Sequence, residues 1–168
     1  MPPREAWAFL MDLPSTVPCF PGAELVSQVD DDNYTGRVTV KLGPVTMVFN
    51  GKLRMEDRDE TACSGTVKAT WTESKGRGNA NTVTRFAMRA EGGGTLVNVK
   101  TDVQLAGQVA QYGRGVGLIS EIAAQLVSRF AENLRASIEN NTAVPQSEIS
   151  GLSLLGRALL NRAKGAPE

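Results

Sequence analysis

The sequence predicts an α+β domain in which a meander of antiparallel strands curves around one long C-terminal helix. Three observations predict it. Apolar and polar residues alternate with a period of two between Ala23 and Leu105. An amphipathic pattern with helical period follows over 108–138. Only a short proline-flanked helix precedes the strands. A sheet that is apolar on one face needs a cover, and the C-terminal helix supplies it.

Taken in order, residues 3–12 read PREAWAFLMD, with proline at the start and Trp7, Leu10 and Met11 at helical spacing. Pro14, Pro18 and Pro21 then allow at most one further helical turn, and Pro21-Gly22 reads as a turn. Tyr34, Val38, Val40 and Leu42 alternate with Thr35, Arg37, Thr39 and Lys41. Gly43-Pro44 turns the chain into a strand carrying Met47, Phe49, Leu53 and Met55 on one side, with Val48 out of phase. Val67, Ala69 and Trp71, then Phe86 and Met88, continue the pattern. Gly92-Gly93-Gly94 makes a tight hairpin into a strand bearing Val97, Val99, Val103 and Leu105.

The segment 108–138 places Val109, Tyr112, Val116, Ile119, Ile122 and Leu126 three or four residues apart. As one helix it is on the order of 45 Å long. Gly113, Gly115 and Gly117 weaken its first third, since glycine lowers helix propensity by about 1 kcal/mol relative to alanine. The run is no phosphate-binding loop: it does not sit in a βαβ unit, and no Gly-Lys-Ser/Thr follows.

Composition excludes several function classes. Lys+Arg and Asp+Glu both number 18, so no global charge attracts nucleic acid. There is no histidine, which removes the commonest general base, metal ligand and triad member. Cys19 and Cys63 lie far apart without CxxC spacing, and read as reduced thiols of a cytosolic protein rather than a metal or redox site. Asp30-Asp31-Asp32-Asn33 and 56–60 read as charged turns, because the full calcium-loop spacing is missing. No signal peptide and no bilayer-length apolar run are expected. Catalytic residues and metal ligands are therefore expected to be none.

The quoted segments, with CFPGAELV, YTGRVTVKLGPVTMVFNGKLRM and GTLVNVKTDVQLAGQVAQYGRGVG, resemble the family of the carbon monoxide dehydrogenase G protein (CoxG), in the SRPBCC/START-like superfamily. The resemblance covers roughly residues 3–138. It implies a helix-grip, START-like fold: a curved antiparallel sheet around the long helix, enclosing an apolar cavity. It also implies an accessory protein, not a catalyst, that recruits an aerobic molybdenum hydroxylase of the carbon monoxide dehydrogenase type to the respiratory membrane. START-like folds begin with a strand before the first helix. Here that first strand is absent, or the true start lies upstream of Met1; without it one sheet edge is unpaired and the cavity gapes.

The expected lining of the cavity is Met47, Phe49, Met55, Trp71, Phe86 and Met88 from the strands, with Tyr112, Val116, Ile119 and Ala123 from the helix. Core packing explains any one of them. As a set they exceed what one helix covers, and methionine and aromatic side chains adapt to apolar ligands. The expected ligand is an isoprenoid quinone such as menaquinone, carried and not covalently bound, for electron transfer into the respiratory chain. Polar groups for a polyketide cyclase-type enzyme are limited to Tyr34, Tyr112 and Thr101, with no carboxylate expected on the apolar face. A recruitment module with a packed core is the remaining alternative. The loop Glu73–Asn81 reads as a solvated hairpin tip.

The expected organisation is a ligand-binding domain over 1–139, a polar linker over 140–151 and an amphipathic tail over 152–168. In the tail Leu152, Leu155 and Leu159 share a face, Leu160 borders it, and Arg157, Arg162 and Lys164 make the segment cationic. Such a segment suits the inner face of the cytoplasmic membrane, with four leucines contributing about 1.5–3 kcal/mol each and each basic residue about 1 kcal/mol. The predicted location is cytoplasmic, with peripheral attachment to that membrane.

Overall fold

The computed structural model describes residues 1–42, 44–112, 114 and 118–140. Helix α1 (Pro3–Met11) opens with proline at its first position and buries Ala6 and Trp7. It stops at Asp12, whose backbone leaves the helical region. A four-residue α2 (Leu13–Thr16) and a 3-10 turn (Val17–Cys19) follow, slightly more helix than the prolines suggest. Proline is tolerated in both because it stands in the first turn, where its missing N–H has no partner to lose.

Six strands form one antiparallel sheet in chain order: β1 (Ala23–Gln28), β2 (Asn33–Leu42), β3 (Val45–Asp59), β4 (Ser64–Glu73), β5 (Asn79–Glu91) and β6 (Gly94–Ala106). β1 and β6 are the edges, so the outer side of β6 has no strand partner among the described residues. The register sets one continuous face. Tyr34, Leu53, Ala69, Thr82 and Val103 stand in one row across β2–β6. Gly36, Gly51, Trp71, Ala80 and Leu105 stand in the next. Because side chains alternate along a strand, Lys52, Arg54, Lys68 and Arg85 point the other way.

The expected continuous helix over 108–138 is instead two helices, α3 (Val109–Tyr112) and α4 (Leu118–Asn140). The residues between them include the three glycines, each unfavourable in a helix by about 1 kcal/mol. Gly113, Gly115, Val116 and Gly117 lie outside the described residues, as do the expected tail and all but the first residue of the linker.

α1 covers one end of the apolar face. Ala6, Trp7, Cys63 and Met88 form a buried cluster, with Leu10, Met11 and Phe86 packed against it. The Trp7 and Phe86 rings stack with centroids 5.8 Å apart. α4 comes closest to the rest of the fold at the 3-10 turn. There Phe130 meets Phe20 at 5.8 Å, and Asn133 Nδ2 donates to the Cys19 carbonyl at 2.9 Å. Cys19 is fully buried, and burial pushes its thiol pKa up, against a hydrogen bond with Ser137 that lowers it.

Candidate functional site: an apolar concave face with one polar end

The alternation of β3, β4 and β5 places Met47, Phe49, Met55, Trp71, Phe86 and Met88 on a single face, the one toward α1 and α4. Met47, Met55 and Met88 are buried, while Phe49, Trp71 and Phe86 are half-buried. Two glycines shape this surface. A Cβ on Gly51 would sit 2.3 Å from the Trp71 ring, and one on Gly65 would sit 2.9 Å from the Phe86 ring. The indole thus lies flat over β3 and the phenyl over β4, which keeps the face concave. Trp71 Nε1 donates to Thr82 Oγ1 at 3.2 Å, so the indole's one polar group is satisfied.

The helical contributors stand differently from the strand ones. Tyr112 is half-buried on α3. Ile119 is 38% exposed and Ala123 is exposed, whereas Ile122 and Leu126 are half-buried. Val116 lies outside the described residues. On β6, Val97, Val99 and Val103 share the concave face and are 36%, 55% and 46% exposed. The face is therefore open on the side of β6 and of the first half of α4.

The expectation of no inward carboxylate is overturned. Glu73 closes β4 in phase with Ala69 and Trp71, opposite Phe49, and its side chain is fully enclosed. Its Oε2 accepts backbone N–H groups of Lys75 at 2.8 Å and Arg77 at 3.1 Å. Its Oε1 pairs with an Arg77 terminal nitrogen at 2.8 Å, which also donates to the Thr46 carbonyl at 3.1 Å. The Arg77 hydrogen bond is the chief cause holding the Glu73 carboxyl well below its usual range, at about 2. The hairpin is pinned to α3 as well: Val109 N–H donates to the Arg77 carbonyl at 2.9 Å. Gly78 and Gly107 have positive φ and touch there, so neither accepts a side chain. The tip reads as solvated because Glu73-Ser74-Lys75-Gly76-Arg77 is polar throughout. The parity of Glu73 with Trp71 is the signal that places it inward.

The arrangement binds better than it reacts. The Glu73 oxygens are occupied by three donors. Tyr34 Oη donates to the Asp31 carbonyl at 2.6 Å, and Thr101 shares a hydrogen bond with Thr84 at 3.0 Å. No group of three or more His, Cys, Asp or Glu side chains able to hold a metal occurs among the described residues. A shallow hollow of about 400 Å³ lies on the opposite face, lined in part by Lys52, Arg54, Glu56 and Lys68. Its charges satisfy one another, with Lys68 2.7 Å and Arg54 3.8 Å from Glu56, so the concave face is the better candidate.

A family model for the carbon monoxide dehydrogenase G protein (CoxG) matches residues 1–139. The chain belongs to the CoxG family. Its CoxG fold is the helix-grip, START-like arrangement of a curved antiparallel sheet and a C-terminal helix. A conserved protein from Geobacillus kaustophilus superposes with a TM-score of 0.71 at 18% identity, over 83% of this chain and 89% of that one. A protein from Thermus thermophilus gives 0.58 at 14% identity, over 84% and 92%. One from Rhizobium leguminosarum gives 0.53 at 17%, over 83% and 88%. At these identities the likeness is one of fold. No curated protein matches this CoxG sequence at a significant level. Among the described residues no helix is long and apolar enough to cross a membrane.

Proposed function

We propose that this CoxG-family chain is a non-catalytic accessory of an aerobic molybdenum hydroxylase of the carbon monoxide dehydrogenase type. It carries a lipophilic ligand, a respiratory quinone such as menaquinone, on the concave face. It links the enzyme to the inner face of the membrane through residues 152–168. The observation that carries this reading is the concave face itself. Val97, Val99 and Val103 stand exposed beside flattened Trp71 and Phe86 rings, and contiguous exposed apolar surface of this kind marks a ligand groove. The cationic leucine-rich tail supports the membrane half of the proposal.

Two measurements test it. An organic extract of the purified full chain should contain an isoprenoid quinone by mass spectrometry; an extract with no lipophilic molecule above background counts against the carrier role. Truncation after Asn141 should abolish flotation with anionic liposomes while the circular dichroism of the folded domain persists. Unchanged flotation would remove the tail from the account.

A further inference from the structure

The hairpin between β4 and β5 folds over one end of the concave face, beneath α3. Three contacts fix Arg77 there: its guanidinium meets Glu73 Oε1 and the Thr46 carbonyl, and its backbone carbonyl meets Val109 of α3. One polar atom is left over. Arg77 Nε is buried and has no hydrogen-bond partner, the one such side-chain nitrogen or oxygen among the described residues. A buried N–H without an acceptor is costly, and native proteins supply one from the chain, from water or from a ligand. The neighbourhood narrows the choice. Met47, next to the Thr46 that Arg77 contacts, is fully buried, and Glu73 continues the row of Val67, Ala69 and Trp71 along β4.

We propose that Arg77 Nε–H is the donor that receives the polar head of the ligand carried on the concave face, and that this head is a neutral acceptor, a carbonyl oxygen. The proposal rests on the carrier reading above and deepens it. Charge argues for neutrality: the guanidinium is already offset by Glu73, so an anionic head would bring a second, uncompensated negative charge into an apolar site. Stoichiometry argues for a single acceptor, because one N–H is free. Length argues for a tailed molecule. From Glu73 back to Gly65 the face runs eight residues of β4, roughly 26 Å at about 3.3 Å per residue. Apolar side chains line most of that length. The tail leaves toward β6, where Val99 and Val103 are exposed.

The full chain is incubated with an equimolar mixture of decyl-1,4-benzoquinone and decylbenzene, desalted and extracted, and the two bound compounds are quantified. The wild-type chain should retain the quinone at least tenfold over the hydrocarbon. Arg77→Lys keeps the charge opposite Glu73 but has no Nε–H, so it should bring that ratio to near unity while still binding both. An unchanged ratio in the variant overturns the assignment of Arg77. A competition with decanoate decides the head: displacement of the quinone by decanoate at equal concentration overturns the neutral acceptor. If the wild-type chain retains neither compound, the carrier reading itself falls, and the inference with it. A measurement without any variant guards against misfolding. In the ¹H–¹⁵N spectrum the Arg77 Nε–H signal should move on adding decylbenzoquinone and stay put with decylbenzene. Equal shifts with both, or with neither, overturn the proposal.

Discussion

Replacing Gly51 by alanine is a stringent test of the concave face. A Cβ there would lie 2.3, 2.4 and 2.9 Å from three carbons of the Trp71 ring, where ordinary contact begins near 3.4 Å. The indole must retreat by more than an ångström, toward the space a ligand would occupy. That displacement also draws Nε1 from Thr82, and the 3.2 Å hydrogen bond has little length to spare. Overpacking a formed core costs about 1–3 kcal/mol, and a lost hydrogen bond about 0.5–1.5 kcal/mol. Together they give about 2–4 kcal/mol. With a urea slope of about 2 kcal/mol/M, the midpoint falls by roughly 1–2 M. The assay is urea unfolding followed by circular dichroism, with tryptophan emission as a second probe. The same substitution in a Trp71→Leu background should cost much less, because neighbouring changes that share one contact do not add. A Gly51→Ala chain with wild-type midpoint and emission would show that the indole does not lie over β3, and the account of the concave face would be wrong.

Three further outcomes follow from the same geometry. The Glu73 carboxyl is depressed to about 2 in the fold, so its contribution is complete above its ordinary pKa near 4.5 and is lost as pH falls from there through 2. Urea midpoints measured across that window should drop more steeply for the wild type than for Glu73→Gln; parallel curves would refute the role of the ion pair. Phe130→Ala should cost about 2 kcal/mol by loosening α4 from Phe20, read as a lowered melting midpoint; no change would mean the ring contact carries no packing energy. Cys19 is buried with its thiol pKa raised, so iodoacetamide at neutral pH should alkylate it only as fast as the chain unfolds. Rapid labelling of native protein would contradict that burial.

Much of the concave face was legible because period-two alternation is a local signal. Trp71, Phe86 and the three buried methionines fall on one side whatever the register. What alternation cannot reveal is cross-strand company. Gly51 and Gly65 read as ordinary strand glycines until pairing sets them beneath Trp71 and Phe86. Glu73 was hidden for another reason: a carboxylate in a polar hairpin is assigned to water, and only the return of Arg77 over it makes burial tolerable. The division of the C-terminal helix was half visible. Three glycines announced weakness, yet the exposure of Ile119 and Ala123 follows from where α4 is attached, a tertiary fact.

That attachment makes α4 a lever. Its fulcrum is at Asn133 and Phe130, held to Cys19 and Phe20, while Ile119 stands near the free end. From residue 133 to residue 119 the arm is roughly 21 Å at about 1.5 Å per residue. A tilt of about 5° at the fulcrum therefore carries Ile119 by roughly 2 Å, near the radius of a methyl group, by arithmetic on that same rise. Small changes of packing around Cys19 are magnified at the open side of the groove. Substitutions that tune how readily the groove loads and empties thus belong at the fulcrum, on residues that no occupant of the groove would touch.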